Sequence, residues 1–280
     1  MKNKSFILLT MFLSLILLLA ACGTSNGEKT GSSSKEKETF TIGLEAGYPP
    51  FNWTQMDDTN GGVKLKGSAE YAGGYDVEIA KKVAEGLGKE LVIVKTEWDG
   101  LVPALTSGKI DAIMAGMSPT EERKKTIDFS DNYYTSNFVM VVKKGGPYEG
   151  ATSIQDFSGA KVTGQLNTSH YGVIDQIKGV KKQTAMDNFP AMRVALESGK
   201  IDGYVSERPE GISASSANEN FVMVEFTDGF VASEEETAVA VGLTKDSELT
   251  DKINEILAKI SEEERQEIMD NAIKNQPAAE

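Results

Sequence analysis

The sequence IDAIMAGMSPTEER, residues 110–123, decides the fold that we predict for this chain. Its first six residues form a short apolar run of the kind found in strands buried on both faces. The run breaks at Gly116 and is followed by signals for a helix start. Ser118 and Glu121 have the spacing of a capping box, with Pro119 at the first helical position. The stretch therefore predicts a strand that turns directly into a helix.

This predicted turn has the properties of a receptor for a small anion. The first N–H groups of a helix lack partners within the helix and carry the positive end of its dipole, so a carboxylate binds favourably there. Arg123, one turn into the helix, can add a planar, two-pronged donor to the same group. The alternative is a plain connection in which Arg123 pairs with Glu121 or Glu122 on the surface.

An internal repeat indicates a second unit of the same kind. Residues 105–111 have the sequence LTSGKID, and residues 196–202 have the sequence LESGKID. Each copy follows a helix-like segment and precedes a strand-like one. The matching flanks favour two similar α/β lobes over a chance match. Between the copies, residues 165–169 predict a second strand-to-helix turn, with Thr168 or Ser169 near the helix N-terminus.

Other segments of the folded body give local predictions. Asp76 is expected to cap a helix over residues 77–87, and Trp53–Ala72 to form a surface loop or hairpin. Phe51 is expected in the core. The C-terminal residues 246–275 have the apolar spacing of one or two amphipathic helices.

The N-terminal segment is predicted to be a signal peptide covering residues 1–21. Lys2 and Lys4 precede an apolar run that ends in small residues. Cys22 follows directly, as in a bacterial lipobox, which implies cleavage before Cys22 and lipidation of its thiol. An uncleaved membrane anchor is the alternative. Residues 22–38 contain no large apolar side chain and are predicted to form a flexible linker.

Composition limits the classes of function. The chain has 280 residues with a formal charge of −13, and removing residues 1–21 takes away two lysines and no acid, giving −15. Such an acidic chain is not expected to bind nucleic acid or anionic lipid directly. Cys22 is the single cysteine, so no disulfide or cysteine metal site is expected. The single histidine, His170, has no partner visible in the sequence and is expected on the surface. We predict no metal, no cofactor and no catalytic residue.

Several segments, taken together and in order, resemble one protein family. They are Tyr48-Pro49-Pro50-Phe51, Gly74-Tyr75-Asp76-Val77, Trp98-Asp99-Gly100-Leu101-Val102-Pro103, Gly108-Lys109-Ile110-Asp111, Ser118-Pro119-Thr120-Glu121-Glu122-Arg123 and Ile127-Asp128-Phe129-Ser130. From Thr39 to the C-terminus the chain resembles the polar amino-acid substrate-binding proteins of ABC importers (bacterial extracellular solute-binding family 3), which include the lysine/arginine/ornithine-, histidine- and glutamine-binding proteins.

The resemblance implies an α/β, two-lobed periplasmic-binding-protein fold (type II). Each lobe is then a mixed sheet flanked by helices, and a two-strand hinge joins the lobes. Lobe 1 is expected to comprise residues 39–136 and 231–280, and lobe 2 residues 137–230. The ligand is expected in the cleft between them, at the carboxyl ends of strands.

The resemblance also assigns the ligand's α-amino-acid group. Arg123 is expected to bind the α-carboxylate with the backbone N–H groups of Ser118 and Thr168. The Gly116 carbonyl and the Ser118 hydroxyl are expected to receive the α-ammonium. The family's acidic partner for that ammonium is usually Asp, and the aligned residue here is Glu207, which has one more methylene. The alternative for Glu207 is a surface acid that pairs with Arg208.

The remaining predicted residues form the pocket for the ligand side chain. Glu45 aligns with the acid that meets the far end of a basic ligand, and Tyr48 and Trp98 are expected to flank its aliphatic stem. Gln165 is expected to orient a guanidinium or amide end. A buried carboxylate without a cation is costly, which favours a basic amino acid, arginine before lysine or ornithine. The alternative is a neutral polar ligand, glutamine or cystine, with Glu45 facing water.

Together these observations predict a monomeric receptor that delivers an L-amino acid to an ABC permease and its ATPase. It would be extracytoplasmic, held by the lipid on Cys22 at the outer face of the cell membrane, in a Gram-positive envelope. A dehydratase-like enzyme and a sensor or adhesin on the same fold are the alternatives from other classes. The enzyme would need a positioned general acid or base, which the sequence does not indicate.

Overall fold

The computed structural model describes residues 38–277, and the predicted signal peptide, Cys22 and the linker up to residue 37 lie outside them. The strands are β1 (Thr39–Leu44), β2 (Gly47–Tyr48), β3 (Asn52–Gln55), β4 (Val63–Lys64), β5 (Tyr71–Gly73), β6 (Glu90–Lys95), β7 (Ala112–Ile113), β8 (Asp128–Thr135), β9 (Phe138–Lys143), β10 (Lys161–Thr163), β11 (Lys181–Lys182), β12 (Gly203–Glu207), β13 (Phe221–Val224) and β14 (Ala238–Leu243). The α-helices are α1 (Tyr75–Gly86), α2 (Leu101–Thr106), α3 (Glu121–Lys124), α4 (Ser169–Gly172), α5 (Phe189–Glu197), α6 (Arg208–Ala217), α7 (Glu234–Thr237), α8 (Thr250–Leu257) and α9 (Glu262–Asn275).

Two five-stranded mixed sheets form the centres of two lobes. The first sheet has the order β6-β1-β7-β14-β8, in which β1 is parallel to β6 and β7 and β14 is antiparallel to β7 and β8. The second has the order β11-β10-β12-β9-β13, in which β10 is parallel to β11 and β12 and β9 is antiparallel to β12 and β13. The central strands are apolar and buried, as all six residues of β14 are, which is typical of sheets covered by helices on both faces.

The chain passes between the two sheets twice. It leaves the first sheet after β8 and enters the second at β9, and it returns between β13 and β14. The two crossing segments lie side by side and are joined by a hydrogen bond, in which the Ser136 amide donates to the Thr237 carbonyl at 3.0 Å. This is the geometry expected of a two-strand hinge. The exact lobe limits, 136/137 and 230/231, stay a prediction.

The two copies of the SGKID repeat have the same local structure. Gly108 and Gly199 have φ values of +72° and +74°, the left-handed conformation that ends a helix and favours glycine. The carboxylate of Asp111 accepts from the Thr41 amide at 2.8 Å, while the Asp111 amide donates to the Thr41 carbonyl. Asp202 makes the same pair of bonds with Lys161. Each Asp therefore fastens a helix end to the first parallel strand of its own sheet.

The segment Trp53–Ala72 forms most of a small antiparallel sheet with the order β2-β3-β5-β4, so the hairpin alternative is correct. The C-terminal segment forms the two helices α8 and α9. Among the helices of residues 38–277, none has the length and apolar character needed to cross a membrane. Within the same residues, no cluster of three or more His, Cys, Asp or Glu side chains is placed to hold a metal ion.

Candidate ligand-binding site

The turn after β7 differs from the predicted capping box. Helix α3 begins at Glu121, and its cap is Thr120, whose hydroxyl accepts from the Arg123 amide. Ser118 is not the cap, because its hydroxyl donates instead to the Glu236 carbonyl at 3.2 Å. Pro119 consequently lies before the helix and not at its first position. A helix of four residues has a small dipole, so an anion bound here would depend mainly on the Arg123 guanidinium.

Arg123 points into the space between the sheets and not along its own helix. Its guanidinium donates to the Ser118 carbonyl at 2.9 Å and to the Asn167 carbonyl at 3.0 Å, and it lies 5.1 Å from the centre of the Trp98 ring. The neighbouring acids pair with the two lysines that follow, so the surface-pairing alternative for Arg123 is wrong. Burial lowers the pKa of Arg123 to about 10, and the negative charge of Glu207 opposes that shift. Arg123 stays charged at neutral pH.

A buried carboxylate supports this turn from behind. Asp76 accepts from the Asn52 amide at 2.8 Å, from the Tyr133 hydroxyl at 2.6 Å and from the Gly116 backbone N–H. The predicted cap role of Asp76 is therefore wrong, and Gly74 occupies the cap position of α1. Burial raises the pKa of Asp76 to about 7, and its three hydrogen bonds limit the rise. Asp76 acts as an internal anchor for the turn.

Glu45 lies at the end of β1 and is 7% exposed. One carboxylate oxygen accepts from the Gln165 side-chain amide at 3.0 Å, and that amide also donates to the Asp187 carbonyl. The other oxygen, Oε1, has no hydrogen-bond partner among residues 38–277. Burial raises the pKa of Glu45 to about 8, with the Gln165 hydrogen bond opposing the rise. A buried carboxylate with one unpaired oxygen is stabilised when a cation or a hydrogen-bond donor reaches that oxygen.

An aromatic stack beside Glu45 joins Tyr48 of β2 to Phe189 at the start of α5. The ring of Tyr48 stacks on Phe189 with centroids 4.3 Å apart and an angle of 11°, and it also contacts Phe51 at 4.9 Å. Burial raises the pKa of Tyr48, so its hydroxyl stays neutral, and this hydroxyl has no hydrogen-bond partner in the described part of the chain. Gly116 lies against the same ring, where an added Cβ would be 2.7 Å from Tyr48 Cε1.

Glu207 lies at the end of β12 and is fully buried. His170 lies against it, with Nε2 3.3 Å from Oε1. The surface alternative for Glu207 is wrong, because Arg208 pairs with Glu225 instead. The expectation of a surface histidine is also wrong, since His170 is only 6% exposed. Helix α4 turns the His170 side chain inward, which sequence spacing alone did not indicate.

The second predicted turn completes the site. Thr168 is the residue before α4, and its hydroxyl donates to the Gln165 carbonyl at 2.7 Å. The Asn167 amide donates to Asp99 at 2.9 Å across the cleft, so together with the Glu45–Gln165 bond it holds the two sheets close together. Arg123 and Thr168 line the same groove. The carboxyl ends of β1, β7, β10 and β12 therefore converge on one site.

Sequence reasoning missed four side chains of this site. They are Asp99, Asn167, His170 and Phe189. Phe189 begins α5 directly after the capping Asn188, which is a visible signal for the start of a helix but not for contact with Tyr48. Asn167 has a left-handed backbone, with φ +57°, which turns are known to favour in Asn. The inward direction of His170 had no signal of its own.

Comparison with known proteins identifies the family. Residues 40–274 match the model of the family described as "Bacterial extracellular solute-binding proteins, family 3". The chain belongs to this family. Its predicted membership and its two-lobed α/β fold class are thereby confirmed.

Individual relatives agree with this assignment. The chain is 32% identical over 269 residues to the arginine-binding extracellular protein ArtP of Bacillus subtilis, covering 92% of this chain and 93% of that protein. It is 32% identical over 232 residues to the L-cystine-binding protein TcyJ of Escherichia coli, covering 82% and 80%. Among solved structures it is similar to the amino acid ABC transporter substrate-binding protein AbpA of Streptococcus pneumoniae bound to L-arginine, with a TM-score of 0.72, 25% identity and coverage of 84% and 94%.

Proposed function

We propose that this solute-binding protein closes its two lobes on one free L-amino acid, with a basic amino acid, arginine first, as its ligand. The observation that carries the proposal is the pair of buried carboxylates, Glu45 and Glu207, whose free oxygens lack hydrogen-bond partners among residues 38–277. Buried carboxylates are stabilised by cations that hydrogen-bond to them. Arginine carries two cations and one anion, which complements these two acids and Arg123.

The two ends of the ligand would bind at opposite ends of the site. We propose that Arg123, with the N–H groups of Ser118 and Thr168, binds the α-carboxylate, and that Glu207 with the Gly116 carbonyl and the Ser118 hydroxyl binds the α-ammonium. The guanidinium to carboxylate pair would be two-pronged, which fixes the orientation of the ligand. In this arrangement Arg123 would exchange one of its present carbonyl bonds for the ligand.

The side chain of the ligand would extend toward Glu45. Gln165 fixes one oxygen of Glu45 and leaves the other free for a guanidinium or ammonium. Tyr48 and Trp98 would flank the aliphatic stem and, through their π-systems, attract the charge. In this structure Phe189 covers one face of the Tyr48 ring and Arg123 one face of the Trp98 ring, so the ligand would use a ring edge or a face freed on binding. Trp98 already lies under the Arg123 guanidinium, which supports its use as a platform for cationic groups.

A neutral polar ligand is the second candidate. The observation that favours it is the pKa of Glu45, about 8, which leaves this carboxyl largely protonated at pH 7 in the absence of a cation. A protonated carboxyl can donate a hydrogen bond to the amide oxygen of glutamine. The similarity to the cystine-binding protein of Escherichia coli also supports a neutral ligand.

Isothermal titration calorimetry separates the two candidates. The protein is unfolded and refolded to remove any carried-over ligand and is then titrated with arginine, lysine, ornithine, histidine, glutamine and cystine. Micromolar or tighter binding of arginine with weak binding of glutamine supports the basic ligand. Tight binding of glutamine or cystine alone would contradict it while preserving the role of Arg123. No binding of any of the six would refute both candidates and would favour the enzyme or adhesin alternatives.

We further propose that the protein is a monomeric, lipid-anchored receptor that hands the ligand to an ABC permease, with lobe 1 formed by residues 39–136 and 231–280 and lobe 2 by 137–230. The strands of the two sheets support that division. The lipid-anchor proposal rests on Cys22 and the preceding apolar run in the sequence. Labelling of cells with radioactive palmitate tests it: wild type should be labelled and membrane-bound, and Cys22→Ser should be unlabelled. Equal labelling of both would refute the anchor at Cys22.

A further inference from the structure

His170 is placed for a role in ligand binding that the proposed contacts do not assign. It is the single histidine of the sequence, and it lies buried in α4, directly after the groove residues Thr168 and Ser169. Two aromatic rings pack against it edge-on, Phe138 at 5.2 Å and Phe189 at 5.8 Å between centroids. Phe189 is also the ring on which Tyr48 stacks, so the imidazole is continuous with the aromatic wall of the site.

The imidazole of His170 lies against the carboxylate of Glu207. The 3.3 Å separation of His170 Nε2 and Glu207 Oε1 is close enough for an ion pair, but it lacks the alignment of a hydrogen bond. Both ring nitrogens and both carboxylate oxygens lack hydrogen-bond partners within residues 38–277. A fully buried carboxylate in this state is strongly stabilised by a neighbouring positive charge. A proton on His170 is one such charge.

Other charged and titratable groups interact electrostatically with Glu207 but do not form hydrogen bonds with it. They are Arg123 of α3, Tyr48 of β2, Tyr134 of β8 and Asp76 of α1. The pKa values of both tyrosines are raised, so these side chains stay neutral, and Asp76 adds negative charge when it is ionised. Arg123 is already bonded to two carbonyl groups. His170 is therefore the ionisable side chain in direct contact with Glu207.

We propose that the proton on His170 and the α-ammonium of a bound amino acid compete for the Glu207 carboxylate, so that ligand binding releases a proton from His170 to solvent. This inference rests on the proposed placement of the ammonium at Glu207. Two cations beside one buried carboxylate repel each other strongly, because the cleft excludes water. Once neutral, the imidazole has a nitrogen lone pair that can accept a hydrogen bond from the same ammonium. Glu207 and His170 then hold the ammonium together.

The proposal predicts a pH dependence that every amino-acid ligand shares. Below the pH at which the imidazole becomes protonated, affinity falls by up to about tenfold per pH unit, because one proton must leave for each ligand bound. The effect is independent of the ligand side chain, since all amino acids carry the ammonium. Ionisation of Glu45 has a different effect, because the ionised carboxylate strengthens the binding of ligands with cationic side chains only.

Proton NMR tests the proposal directly, because a chain with one histidine gives one imidazole C2-proton resonance to follow. At pH 6 we expect saturating arginine to move this resonance toward the position of the neutral imidazole. An unchanged resonance, or a shift toward the protonated position, would overturn the proposal. Wild-type protein that binds no amino acid at all would instead refute the proposed function.

Calorimetry with His170→Gln gives an independent measurement. The side chain of the introduced Gln places an amide near the position of Nε2, but it cannot bind or release a proton. Thermal melting checks that the variant is folded. Arginine binding is measured at pH 6 in two buffers that differ in ionisation enthalpy. We expect wild type to release more protons on binding arginine than His170→Gln does. Any protons released from Glu45 are the same in both proteins and therefore cancel in the difference. Equal proton release, or an equal change of Kd between pH 5.5 and 7.5, would show that His170 only packs against its neighbours.

Discussion

The substitution Glu45→Gln tests the electrostatic basis of ligand choice. It keeps the length of the side chain, and its amide oxygen can still accept the hydrogen bond that Gln165 now donates to the carboxylate. It removes the negative charge on the oxygen that has no hydrogen-bond partner among residues 38–277. We therefore expect the fold to survive, while binding of a cationic side chain is weakened and binding of a neutral one is preserved.

The size of the effect follows from the environment of Glu45. Its pKa of about 8 means that ionising it at pH 7 requires about 1.4 kcal/mol, which a cationic ligand must offset. Removing one member of a buried, hydrogen-bonded charge pair costs about 2–5 kcal/mol. At about 1.4 kcal/mol for each factor of ten, arginine binding should fall by roughly 30-fold to several-thousand-fold. Glutamine binding should change by less than about threefold, since it needs no charge at this position.

Calorimetry of both proteins with arginine and glutamine, from pH 6 to pH 9, measures this effect. In wild type the affinity for arginine should rise with pH and level off above about pH 8, because the proton on Glu45 leaves as the ligand binds. That part of the pH dependence should be absent in the variant, while any part due to His170 remains. Equal losses for arginine and glutamine would refute the reasoning, because they would show that Glu45 supports the fold or the α-amino-acid group.

Three further predictions concern the same site. Without ligand, the free energy of unfolding should decrease as pH rises from about 4 to about 8 in chemical denaturation, because the raised pKa values of Glu45 and Asp76 favour the folded state only while these carboxyls keep their protons. Arg123→Ala should weaken every amino-acid ligand by about 2–5 kcal/mol in calorimetry; a loss restricted to basic ligands would contradict its role at the α-carboxylate. Gly116→Ala should lower the free energy of unfolding by about 1–3 kcal/mol, because φ is +63° and a Cβ would be 2.7 Å from Tyr48; an unchanged denaturation midpoint would contradict this strain.

Features that depend on neighbouring residues could be predicted from the sequence. The two SGKID copies form equivalent helix ends because glycine supplies the left-handed turn and the following Asp bonds to the adjacent strand. Apolar runs and turn residues in the sequence likewise indicated the strand β7, the helices α8 and α9, and the turn before α4. Local sequence indicated Arg123 and its turn as a receptor for an anion, whereas the other residues assigned to the α-amino-acid group came from the family resemblance. All of these roles stay predictions.

Features that depend on long-range burial could not be predicted in this way. Asp76 looked like a helix cap, but its partners Asn52 and Tyr133 are 24 and 57 residues away, and only the folded chain brings them together. Ser118 lost its predicted cap role for the same reason, since its hydroxyl meets the Glu236 carbonyl 118 residues further on. A short polar side chain in a turn has many possible partners, and local sequence does not choose among them.

The charges in the cleft link ligand binding to lobe closure. Glu45 and Glu207 come from different sheets, and closing the lobes buries both beside Asp76, with Arg123 as a nearby cation. Closure without a ligand would therefore concentrate negative charge in a dry cleft, where it is relieved by protons on carboxyls whose pKa values rise. In the proposed binding mode, a basic amino acid would supply two cationic groups at Glu45 and Glu207 and would replace that need for protons. The same electrostatics that selects the ligand thus favours the closed form when the ligand is present, and this closed form is the state that a transporter must distinguish from the open one.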